Sequence, residues 1–168
     1  MIKDPNRAIC GIATVFGQPH PNDRRIIYRP EHFQRFLDLE IGIPLRIEHG
    51  PLVTNRSCIR YIGTVRRFAV VEHPVPGLLV LGEIDDIPEL EDLLADLVAI
   101  TTQRWLDPAW GMSLGAHVLT EDGTANPFEV SLSQSPAFPD AKIISVGERA
   151  ISTWDLLTER APTRSGDS

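Results

Sequence analysis

The sequence predicts a mainly β, α+β domain: an antiparallel barrel or sandwich of about six to eight short strands, with two or three helices packed against it. Three observations lead there. Short runs rich in Ile, Val, Thr and Phe recur between Gly, Pro and Asn turns. Few stretches carry apolar residues at helical spacing. The 168 residues, 42% hydrophobic and 23% charged, suit one ordinary globular domain, which typically buries about 70% of its unfolded surface. Residues 1–160 are therefore read as a single domain and residues 161–168 as a frayed polar tail.

Each element has its own justification. Ala8 to Phe16 reads as a strand ending at the Gly17-Gln18-Pro19 turn, and Arg25 to Tyr28 as a short second strand. Pro30, compatible with a first helical turn, opens a helix carrying Phe33, Phe36 and Leu37 on one side. Ile43 to Glu48, Tyr61 to Val71 and Gly77 to Ile84 are strands, the last following the Pro74-Val75-Pro76 turn. Leu90, Leu93, Leu94, Leu97 and Val98 fall at helical spacing, with Asp86 near the expected N-cap and acids suiting the helix dipole. Met112 to Leu119 resumes strand character. Phe128, Val130 and Leu132 then alternate with Glu129, Ser131 and Ser133, placing the two sets on opposite faces. Ser145 with Glu148 forms a capping-box pattern. It is expected to start a last helix with Val146, Ala150, Ile151, Trp154 and Leu157 on one face.

Composition excludes several classes. A formal charge of −7 argues against general nucleic-acid binding, which needs a basic surface. No apolar run approaches the ~18 residues of a membrane span. The opening MIKDPNRAIC has no apolar signal region, so a cytoplasmic location is expected. Two cysteines, Cys10 and Cys58, rule out a disulfide framework and a four-cysteine zinc site. There is no GxxxxGKS/T, GxGxxG or HExxH. Glu31-His32, Glu48-His49 and Glu72-His73 are adjacent pairs, which on a strand point to opposite faces and chelate poorly. No metal and no cofactor is expected. Seven acids and no bases lie between Glu83 and Asp96, whereas five arginines and one acid lie between Arg46 and Arg67. These are two solvated faces or a complementary pair of interaction patches.

Three residues are candidates for chemistry. His49 ends the strand IPLRIEH just before Gly50-Pro51, where an imidazole can lean over a cleft, although a lone histidine at a strand end is more often a loop residue or a satisfied surface imidazole. Ser113 sits in GMSLGA, where small neighbours let a substrate backbone approach, or where a strand serine merely packs beside glycines. The strand-like AHVLT that follows is unlike the turn-to-helix of a hydrolase elbow. Glu129 lies on the polar side of its strand, either as a solvated carboxylate or as a group orienting an imidazole.

Taken together, the segments resemble the bacteriophage prohead (capsid maturation) proteases, relatives of the herpesvirus assemblins. The likeness runs from about Gly11 to Asp140. It rests on GIATVFG (Gly11 to Gly17), IIYRPEHFQRFL (Ile26 to Leu37), IPLRIEHG (Ile43 to Gly50), IGTV (Ile62 to Val65), GMSLGA (Gly111 to Ala116) and FEVSLSQSPAFPDA (Phe128 to Ala141), in the family's order. The resemblance implies a closed, assemblin-like β-barrel with Ser113 as nucleophile, His49 as general base and Glu129 as the third member. His117 is the fallback third member, because assemblins use a second histidine. The sequence departs from many relatives at Gly50, which follows the histidine, and in the longer stretch Thr101 to Ala109.

The function implied is a serine endopeptidase that cleaves scaffold and major capsid precursor proteins, and itself, inside an assembling procapsid in the host cytoplasm. The implied partners are those precursors and a possible second copy of the chain, with no nucleic acid and no membrane. No fused scaffold is expected after the last helix, so scaffold would be a separate protein. The alternatives are a catalytically inactive assembly or scaffold-binding protein on the same barrel, and an esterase using the same residues.

Overall fold

In the computed structural model, residues 1–48, 61–103, 110–119 and 123–159 are described. The tail after Glu159, His49, Cys58 and most of Thr101 to Ala109 lie outside them. The elements follow in chain order: β1 (Ala8–Val15), β2 (Pro19–His20), β3 (Asp23–Ile27), β4 (Ile43–Glu48), β5 (Tyr61–Val71), β6 (Gly77–Ile84), α1 (Glu91–Thr102), β7 (Gly111–Leu119), β8 (Thr124–Ser133), β9 (Ile143–Val146) and α2 (Glu148–Glu159). Seven strands form one sheet in the order β7-β8-β4-β5-β6-β1-β9, and β2-β3 is a separate hairpin.

β1 and β6 are apolar runs broken only by Thr14 and Glu83, as suits strands covered on both faces, and every residue in them is buried. Ile9, Leu45, Val65, Val80, Met112, Val130 and Val146 contribute to one interior cluster inside the curl of the sheet. On the reverse face, Cys10, Ile12, Leu79 and Leu81 pack with Ala150 and Trp154 of α2. Burying one such large apolar side chain contributes about 1.5–3 kcal/mol.

The expected closed barrel is corrected to an open, curled sheet. The edge strands β7 and β9 share no ladder. They are bridged beside β9 only by Gly111 with Lys142, and Met112 N–H donates to the Ala141 carbonyl at 2.9 Å. The reason is length: β9 has four residues and is already paired with β1. Nor is the sheet wholly antiparallel, since β4 runs parallel to β8, Leu45 to Glu48 pairing with Val130 to Ser133.

Four local expectations also change. Asp86 does not cap α1; it pairs with the buried Arg7 at 2.8 Å, and a 3-10 turn, Pro88–Leu90, leads into the helix. Val146 belongs to β9, and α2 starts after Gly147, whose φ of +76° turns the chain sharply. The Ser145 hydroxyl donates to Thr153 Oγ1 at 2.7 Å, so it is not a capping-box member. The Pro30 helix is a 3-10 helix, Pro30–Phe36, with Phe33 fully buried.

Candidate active site

The alternation of β7 sorts its side chains. Met112 is buried in the interior cluster and Leu114 packs against it, so Ser113 stands on the outer face of the sheet. Directly across the ladder from Ser113 lies Ser131 of β8, and beyond Ser131 lies Arg46 of β4. These three residues form one row on the outer face. Glu129, two residues from Ser131, shares that face opposite Gly115.

The half-buried Ser113 hydroxyl oxygen accepts a hydrogen bond from the Ala137 backbone N–H at 3.1 Å. Ala137 arrives on the segment after β8, and several contacts hold that segment in place. Ser135 N–H donates to the Ser133 hydroxyl at 3.0 Å, and Ala141 N–H donates to the Phe138 carbonyl at 3.0 Å. Phe138 is 4% exposed. The segment also lies against Gly111. A Cβ there would sit 2.3 Å from the Ala141 carbonyl oxygen and 2.6 Å from Pro136 Cγ, so only glycine allows the approach.

Glu129 accepts a hydrogen bond from Arg46, and the guanidinium also lies 5.3 Å from the ring centroid of Tyr61. This pair is mostly shielded, with side-chain exposures of 25% for Arg46 and 14% for Glu129. It fixes the carboxylate on the same face as Ser113. Ser131 is buried, and its hydroxyl has no hydrogen-bond partner among the described residues.

Phe128 does not share the buried face of Val130 and Leu132, as simple alternation along the strand expects. The register slips between Gly115 and Ala116, leaving Phe128 unpaired; it is 44% exposed. A Cβ on Gly115 would meet its ring at 2.9 Å, which places the ring over the outer face. His117 is exposed and tilts against that ring at 4.8 Å between centroids. His49 lies outside the described residues. Its predecessor Glu48 pairs with Ser133, whose other neighbour is Gly111, two residues before Ser113.

No protein-family model matches the chain, and no curated protein matches it. Solved structures do. The protease of Kaposi's sarcoma-associated herpesvirus, bound to a hexapeptide phosphonate inhibitor, superposes with a TM-score of 0.50 at 19% identity, over 77% of this chain and 60% of that one. The same virus's protease with a dimer disruptor gives 0.50 at 20% identity, over 87% and 80%. With an allosteric inhibitor it gives 0.50 at 16% identity, over 96% and 95%. The fold is assemblin-like.

Sequence reasoning named Ser113 and Glu129 as candidates but did not name Ala137, Arg46 and Ser131, which the structure places beside them. Ala137 acts through its backbone, which no residue type advertises. Arg46 carried a signal, since it stands three residues before His49, but only the parallel β4–β8 pairing brings it to Glu129. Among the described residues, no group of His, Cys, Asp and Glu could hold a metal ion, and no helix is long and apolar enough to cross a membrane.

Proposed function

We propose that this protein is a serine endopeptidase that cleaves scaffold and major capsid precursor proteins, and itself, during assembly of a phage capsid. The observation that carries the reading is the Ser113 hydroxyl on an assemblin-like sheet, with the Ala137 N–H aimed at its oxygen.

The chemistry follows from those atoms. Ser113 Oγ attacks the scissile carbonyl carbon while its proton passes to the His49 imidazole, and the carbonyl electron pair moves onto oxygen. The new oxyanion is bonded to the same carbon as Oγ, and the Ala137 N–H beside Oγ is its proposed donor. The C–N bond then breaks, the amine leaves with the proton from His49, and water hydrolyses the acyl-enzyme by the same relay in reverse. Glu129, fixed by Arg46, is the proposed third member that orients the imidazole.

The test is co-expression with the neighbouring capsid and scaffold proteins, comparing wild type with Ser113→Ala and His49→Ala by intact-mass spectrometry. In parallel, purified chains are treated with a peptide phosphonate. Fragments and a Ser113 adduct from wild type alone support the reading. Tight scaffold binding with neither fragments nor adduct supports the non-catalytic assembly protein instead.

A further inference from the structure

Five aromatic rings run from the candidate site into the interior. The Phe138 ring meets His20 edge-on at 5.5 Å and 87°. His20 meets Tyr28 edge-on at 6.3 Å and 84°. Tyr28 packs on Phe33 at 5.6 Å, and Phe33 on Phe16 at 5.9 Å. Tyr28, Phe33 and Phe16 are buried members of the interior cluster. His20 is the only half-buried ring of the series. It stands on the β2–β3 hairpin, and its Nδ1 accepts from the Asn22 N–H at 3.2 Å, which orients the imidazole. Edge-to-face geometry sets the positive rim of one ring against the negative face of the next, so such contacts are directional as well as apolar.

Phe138 immediately follows Ala137. A buried ring fixes the backbone at its own Cα, one residue from the peptide unit that carries the Ala137 N–H, and Pro136 packed against Gly111 holds the other side of that unit. We propose that Phe138, braced by His20, is the positioning residue that holds the Ala137 N–H on Ser113. The proposal rests on the protease reading for its kinetic consequence, though not for its structural one. Neither side chain touches the reacting atoms. Both act through the backbone from Pro136 to Phe138, and His20 does so from a hairpin outside the main sheet.

The test uses His20→Ala, His20→Phe and Phe138→Ala in the full chain, with two readouts. Turnover of a peptide taken from a mapped cleavage site gives kcat and KM. Amide hydrogen exchange and the amide shift of Ala137, followed by NMR, report the hydrogen bond whether or not the chain is active. Losing one oxyanion donor lowers kcat by about 10²–10³. Phe138→Ala is expected to approach that loss. His20→Ala should lower kcat about tenfold with KM unchanged, and His20→Phe, which keeps an edge for the Phe138 ring, should recover most of it. Ala137 exchange should speed up in His20→Ala and return toward wild type in His20→Phe.

Unchanged Ala137 protection in His20→Ala overturns the proposal, as does equal loss in His20→Ala and His20→Phe. Phe138→Ala can unfold the chain, which is why the half-buried His20 carries the decision. If wild type neither cleaves nor takes the phosphonate, the protease reading fails, and Ala137 exchange alone still decides the positioning role.

Discussion

The Ala137 backbone N–H donates to the Ser113 hydroxyl oxygen across 24 residues of sequence. The nucleophile candidate sits within a strand, while its donor sits on a segment that crosses the outer face of the same sheet. Strand geometry therefore fixes one partner, and the packing of Pro136 and Phe138 fixes the other.

Replacing Ser113 or His49 by alanine should lower peptide cleavage by a factor of ~10⁶ while the fold persists. Circular dichroism and intact-mass analysis of products check both halves. Ser113 lies on the outer face and contributes no core packing, so a variant that fails to fold would contradict this placement.

Gly111→Ala should damage both stability and the site. The added Cβ would lie 2.3 Å from a backbone oxygen, and a backbone cannot swing aside as a side-chain end can. Overpacking of this kind costs about 1–3 kcal/mol. A lowered urea midpoint together with slower phosphonate labelling of Ser113 is the expected pair of results.

Arg46 and Glu129 should be energetically coupled. A mostly shielded ion pair lies between the small value of a surface bridge and the larger penalty of breaking a buried one. A double-mutant cycle of Arg46→Met and Glu129→Gln is expected to give a coupling of about 1–2 kcal/mol in urea unfolding.

Trp154→Ala should remove about 3–5 kcal/mol. The ring is 4% exposed in the cluster beneath α2, and Arg67 lies 5.3 Å from its centroid. Equilibrium unfolding followed by far-ultraviolet circular dichroism measures the loss.

Burial pushes the Cys10 thiol up to about 12 from its usual 9.0. The sign follows from proton counting. Between these two values the unfolded thiol has lost its proton and the folded one has not, so stability falls as pH rises through that window. Cys10→Ala should flatten this part of the stability profile. In the native chain at pH 8, Cys10 should also resist iodoacetamide, as peptide mass mapping would reveal.

Much of the fold was legible because its signals were local. The strands Ile43–Glu48, Tyr61–Val71 and Gly77–Ile84 have the bounds that their apolar runs and turn residues indicate. Illegible features depended on partners remote in sequence. Asp86 looked like a cap, but Arg7 draws it away. Alternation put Phe128 on one face with Val130 and Leu132, but a register slip in the β7 pairing turns it outward. Barrel closure failed because β9 is too short to present a second edge, which a count of strands cannot show. At the site, Ser113 and Glu129 were readable as residue types. The Ala137 donor was not, because every residue except proline carries the same N–H.

The parallel pairing of β4 with β8 has a consequence in time as well as in space. Arg46 meets Glu129 across 83 residues, and Ser113 waits for an amide at 137. Loops of that span close slowly. A ribosome-bound chain that has exposed Ser113, and even β7, still lacks the neighbouring strand, the ion pair and the donor. The serine is born chemically ordinary, and its surroundings are complete only once most of the polypeptide has been made and folded back upon it.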